Sequence, residues 1–227
     1  MERQDIISIT IAGIRIDEPI VTLTDLMVSV ACVIFFWKLH KKENANISVK
    51  LFKWYFLSMG AATFFGGIFG HAFLYTAGMY LKLPGWIISM CSIMLIERAV
   101  IKHAGMIWSE KVISALSILN IIELIVFMGL AIYYLDFFFV EFHSGYGLMF
   151  VVLGLEGYLY LKTKNEASKN ILFGIGLAAI AALVFMSKVD LHTWFNHIAI
   201  SHVFMTGAAF FFYQGARRIE LNEGVGR

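Results

Sequence analysis

Asp25, His71, His192, His197 and His202 are ionisable side chains set into apolar sequence, and their types suit a metal centre. Each costs about 2 to 3 kcal/mol inside a bilayer even on the lenient insertion scale, so several at one depth point to a shared polar site. Neutral imidazole is the commonest protein ligand of zinc, and three imidazoles that leave a fourth position for water form a hydrolytic arrangement. An aspartate beside them orients a ligand or the water.

The elements that must position these residues follow from hydropathy. Of the 227 residues, 59% are hydrophobic and only 15% are charged, with a mean hydropathy of +0.77. That balance exceeds what a water-soluble domain of this size keeps in solution, so the chain reads as an integral membrane protein. Cys32 and Cys91 both fall in apolar runs and form no disulfide or cysteine-zinc framework. A net charge of +2, dispersed along the chain, gives no nucleic-acid footprint.

Seven apolar stretches are long enough to span a bilayer. They run from Val21 to Leu39, Trp54 to Tyr75, Pro84 to Ile101, Val112 to Tyr134, Phe138 to Leu161, Asn170 to Ser187 and Thr193 to Gln214. The expected fold is therefore all-α, a bundle of seven transmembrane helices over residues 21–216. A cytoplasmic tail, 217–227, follows it. Fourteen of the 18 Lys and Arg residues fall on one side of this topology, in segments holding Lys38 to Lys53, Arg98 to Lys111, Lys162 to Lys169 and Arg217 to Arg227. The other side has Arg3, Arg15, Lys82 and Lys188, so the N-terminus is expected outside and the C-terminus in the cytoplasm.

Residues 1–20 lack the basic start and apolar core of a cleavable signal peptide. Ile7, Ile9 and Ile11 alternate with polar or small residues, Gly13 breaks the run, and Ile14 and Ile16 resume it, which predicts a small exterior hairpin. The absence of targeting signals fits a bacterial inner membrane.

With this topology, Asp25 near the start of the first span, His71 near the end of the second and His192, His197 and His202 early in the last all fall in the outer part of the bilayer. They meet if the first, second and last helices are neighbours, as a closed ring allows. His192, beside Asp190 at the interface, reads as structural. His71 follows Gly66-Gly67-Ile68-Phe69-Gly70, where glycines permit close helix approach. His197 and His202 are five apart and point roughly 140° from one another on a regular helix, so both reach one centre only through a π-bulge or an irregular first turn. If only one of them joins His71, a two-histidine haem site is the alternative.

Other polar residues suggest other chemistry. Glu123, with Asn120 one turn before it, and Glu156 are carboxyls deep in apolar helices, which suits a transporter or channel or a protonated interhelical contact. Glu97 beside Arg98 reads as a solvated interfacial pair. Asp136, Glu141 and His143 are assigned to an exterior connection lining the mouth of a cavity. Asn196, Ser201 and Ser29 are polar neighbours of the histidine centre. Microbial rhodopsins are excluded, because no lysine lies between Thr193 and Gln214 to carry retinal.

Thr24-Asp25, His71 and the run Asp190-Leu191-His192-Thr193-Trp194-Phe195-Asn196-His197-Ile198-Ala199-Ile200-Ser201-His202 resemble the CREST superfamily of seven-helix membrane proteins, which includes alkaline ceramidases and progestin and adipoQ receptors. The nearer likeness is to its bacterial members. The resemblance implies that His71, His197 and His202 hold zinc, that Asp25 is a catalytic general base or supports a ligand, and that the reaction is hydrolysis of an amide in a membrane lipid, or that the chain is a non-catalytic relative. The chain differs from that pattern in having Gly67 where a serine is usual, no aspartate between Tyr80 and Met90, and histidines five rather than four apart.

Overall fold

The structure is a computed structural model that describes residues 6–41 and 45–223. Arg3, Lys42 and Arg227 of the charge count lie outside the described residues. The isoleucine alternation builds two antiparallel strands, β1 (Ser8–Ile11) and β2 (Ile14–Asp17), with Ile9 opposite Ile16. Ala12 and Gly13 join them with φ of 51° and 80°, the left-handed two-residue turn that matches strand twist. Glu18 then takes a left-handed conformation, φ 45°, and Pro19 opens α1 (Pro19–His40), where its missing N–H costs nothing.

The second helix, α2 (Ile47–Phe65), starts earlier than hydropathy suggests. The side chain of Asn46 caps it, accepting the Val49 N–H at 2.9 Å. At Gly66 it passes into a π-helical turn, Gly66–Ala72, and two short 3-10 segments lead to α3 (Leu83–His103). After α4 (Glu110–Tyr134), a broken rod follows: α5 (Phe138–Tyr146), a second π-helical turn at Gly147–Val152, and α6 (Leu153–Thr163). Asn165 caps α7 (Glu166–Ser187) by accepting the N–H groups of Ala167 and Ser168. The last helix, α8 (His197–Glu223), begins after Thr193 because Asn196 accepts the Ala199 N–H at 3.0 Å. It runs through residues 217–223, which were expected as a tail.

The helices close into a ring. α1 packs against α2 and α8, α2 against α3, α3 against α4 and α5, and α7 against α6 and α8. The core holds Phe52, Phe56, Ile96, Val152, Ile171 and Phe212. Outside, α4 exposes Ile118, Leu119, Ile122, Ile125 and Val126, an apolar face too extensive for a surface in water. Five helical stretches among the described residues are long and apolar enough to cross a membrane: Pro19–His40, Gly78–Met106, Glu110–Tyr134, Phe138–Thr163 and Glu166–Ser187. The fold is all-α apart from the hairpin, and it fits an integral membrane protein.

Glycines set the closest helix contacts. A Cβ at Gly174 would lie 2.6 Å from the Phe212 ring and 3.1 Å from the Ala208 carbonyl, whereas one at Gly176 meets nothing within 4 Å. Gly174→Ala is therefore expected to destabilise the detergent-solubilised protein by about 1 to 3 kcal/mol through overpacking. Gly176→Ala, gaining helix propensity, should leave the thermal midpoint unchanged or raise it.

Candidate functional site

The ring brings the start of α1, the first π-helical turn and the start of α8 together. Asp25, buried on α1, lies between two imidazoles. Its Oδ2 is 3.8 Å from His71 Nε2 and its Oδ1 is 3.4 Å from His202 Nε2. A carboxylate oxygen and an imidazole nitrogen that share a zinc stand about 3.3 Å apart.

The far nitrogen of each ring is committed. His71 Nδ1 is 2.8 Å from Glu18 Oε2, and a carboxylate can only accept when ionised, so the proton belongs on Nδ1. His202 Nδ1 is 3.0 Å from Thr24 Oγ1, whose own proton goes to the Val21 carbonyl at 2.9 Å, so Thr24 accepts from the ring. Both rings thus keep an Nε2 lone pair, and both lone pairs face Asp25. Oxygen partners on Nδ1 that free Nε2 are how metal-ligating histidines are normally held.

His197 is anchored separately. Its Nδ1 is 2.7 Å from Asp190 Oδ1, which also accepts the His197 backbone N–H at 2.7 Å, so the aspartate fixes both the ring and the first turn of α8. This side chain sits at the rim, near enough to Glu18 for its charge to act on that carboxyl. His192 is exposed and accepts the Trp194 N–H; it takes no part in the centre. Ser29 is turned away, donating to the Gly60 carbonyl, and Ser201 donates to the Ile198 carbonyl.

Irregular winding does occur at the site, though on the helix that carries His71 and not on α8. The glycines there have a geometric purpose. A Cβ at Gly67 would be 2.9 Å from Asp25 Cβ and 3.2 Å from the Thr22 carbonyl, so the smallest residue is required for α1 to approach and a serine would not fit. Thr22 Oγ1 completes the contact by donating to the Gly67 carbonyl at 3.3 Å.

Glu18 was not singled out by sequence, because its pairing with His71 spans 53 positions. Burial pushes its carboxyl up, but the His71 hydrogen bond and the charges of His71, Lys82 and His197 together hold it below the ordinary range. Its left-handed backbone is an uncommon state for a non-glycine residue, retained where it turns the carboxylate toward His71.

Two readings of the other polar residues are corrected. Glu97 is fully buried, accepting from Asn120 Nδ2 at 3.1 Å, and Arg98 turns to Asn120 Oδ1 and the Ser117 carbonyl, so the two do not form a solvated pair. His143 belongs to α5 and is fully buried against Glu123 at 3.0 Å, not on an exterior connection. Glu156 is likewise buried, 2.8 Å from His103. Among the described residues, Glu97, Glu123 and His143 are the one group of three or more metal-ligating side chains whose donor atoms all lie within 4.8 Å of one another, so this group could hold a metal ion.

A family model described as "Family of unknown function (DUF6962)" matches residues 20–221. The chain belongs to this family. No curated protein and no solved structure matches it. The DUF6962 match includes Asp25, His71, His197 and His202 and begins just beyond Glu18 and the hairpin.

The Asp190 contact has a defined pH dependence. Its carboxyl lies below the ordinary range because it accepts from the His197 ring and backbone. A lowered folded value means that the contact contributes fully above the unfolded carboxyl pKa and is lost as pH falls through the folded one. Hydrogen-exchange protection of the His197 amide should persist from neutral pH down through the ordinary aspartate range and disappear only below it, while Asp190→Asn should remove that dependence.

Proposed function

We propose that the chain is a seven-span integral membrane protein of the bacterial inner membrane, N-terminus outside, and that His71, His202 and His197 hold zinc beside Asp25 to hydrolyse an amide in a membrane lipid. The observation that carries this reading is the pair of Nε2 atoms on the Asp25 carboxylate, with both Nδ1 atoms tied to oxygen. The likeness to ceramidase-type CREST proteins supplies the reaction class. When bound, zinc polarises a carbonyl and acidifies water.

The residues of the chain have separable tasks in this scheme. Glu18 and Thr24 hold the tautomers of His71 and His202, which keeps both lone pairs aimed inward. Asp25 takes the proton from the attacking water and passes it to the departing amine. His197, on its Asp190 tether, joins from the rim. Leu23 and Met27, on the outward face of α1 beside Asp25, give an acyl chain an apolar approach from the bilayer. The position of Asp25 between the imidazoles favours zinc over haem, because a carboxylate stands where a porphyrin would lie.

Elemental analysis of detergent-purified protein should find zinc, and the content should fall by about one ion per chain in His71→Ala and in His202→Ala. Glu18→Gln should retain the fold and weaken zinc about 10- to 100-fold. Asp25→Asn should abolish release of fatty acid from a long-chain ceramide presented in mixed micelles. Full metal occupancy in both histidine variants would overturn the assignment.

A further inference from the structure

On the opposite side of the ring from Asp25, three helices meet around a second polar centre. Glu97 on α3, Glu123 on α4 and His143 on α5 place their donor atoms within 4.8 Å of one another. Two carboxyls this close in an apolar interior cannot both ionise unless a positive charge joins them. Either protons or a cation must supply it.

The surroundings are built for a cation. His143 Nε2 is 3.2 Å from the Met90 carbonyl, which can only accept, so a neutral ring carries its proton there and keeps a lone pair on Nδ1. That lone pair faces Glu123 Oε1 at 3.0 Å, two electron-rich atoms against each other. Glu97 Oε2 accepts from Asn120, and Asn120 is in turn held by Arg98 Nε at 3.2 Å, so a chain of donors sets the carboxylate plane. Glu97 Oε1 is fully buried and has no hydrogen-bond partner among the described residues. It points at Gly147, one turn beyond His143, where even a Cβ would overlap it.

We propose that Glu97, Glu123 and His143 form a second metal site, distinct from the histidine centre, that takes a first-row divalent transition ion. One nitrogen and two carboxylates suit manganese, iron or zinc, whereas calcium and magnesium prefer oxygen alone. A doubly charged ion balances both carboxylates and occupies the orphaned Oε1. Asn120 and the Met90 carbonyl act as positioning groups for Glu97 and His143. Because the ligands come from α3, α4 and α5, the ion ties the broken rod of α5 and α6 to the two helices before it.

The test uses full-length protein in mild detergent, stripped with chelator and titrated with Mn²⁺ alone, with bound ion read by electron paramagnetic resonance and Zn²⁺ as competitor. Wild type and the double variant His71→Ala/His202→Ala should both retain a Mn²⁺ site that Zn²⁺ displaces. Glu97→Gln and Glu123→Gln, each near-isosteric and checked for monodispersity, should weaken it at least 100-fold. Mn²⁺ binding that neither glutamine variant alters, or no Mn²⁺ or Zn²⁺ binding in the double variant, overturns the proposal. So does an infrared band of a protonated carboxyl at neutral pH that Glu97→Gln removes and added metal leaves unchanged. Failure of zinc binding at His71 leaves this result intact, so the two centres are judged separately.

Discussion

Pairing of carboxylate with imidazole governs the interior of this protein. An ionisable group withdrawn from water must find a partner or give up its charge, and the low dielectric of an apolar bundle makes that requirement severe. Asp25 and Glu123 lie against imidazole nitrogens that keep their lone pairs, where a shared cation would supply the charge, and the other carboxylates have a histidine as partner: Glu18 with His71, Glu156 with His103 and Asp190 with His197. Each pair but the last, which lies at the exposed start of α8, joins separate segments of the chain. Polar chemistry and tertiary structure are therefore the same contacts, and a substitution at any of these residues touches both.

The two π-helical turns explain how regular helices reach such arrangements. A wider turn rotates the residues beyond it relative to those before it. At Gly66–Ala72 this happens where α1 comes closest, beside Asp25, and at Gly147–Val152 it happens where Glu97 fills the space above Gly147. Both turns begin with a glycine, and both adjoin a polar centre.

Much of the frame was legible in the sequence. The hairpin followed from isoleucine alternation and Gly13, and the helical stretches from hydropathy. Asp25, His71 and His202 were identified together because charge is rare in such sequence and because their expected depths agreed. His197 was less legible, since its partner Asp190 belongs to the irregular segment that precedes α8. Glu97 was misread because Arg98 follows it directly, and adjacency along a chain suggests a pair even though neighbouring residues on a helix point 100° apart. Glu18 and the roles of His103 and His143 were hidden for a different reason: their partners are fixed by which helix neighbours which, and no local pattern encodes the order of a ring.

His103 and Glu156 carry a consequence of their own. Each has used one polar atom on the other, and the second atoms, His103 Nε2 and Glu156 Oε2, lie buried with no hydrogen-bond partner among the described residues. His103 also lines a cleft of about 910 Å³ that includes Arg98, Lys102 and Trp108. Half of its hydrogen-bonding capacity is thus held in reserve at the wall of a basic recess, so a small rotation of the ring would exchange an internal contact for one with whatever enters from that side.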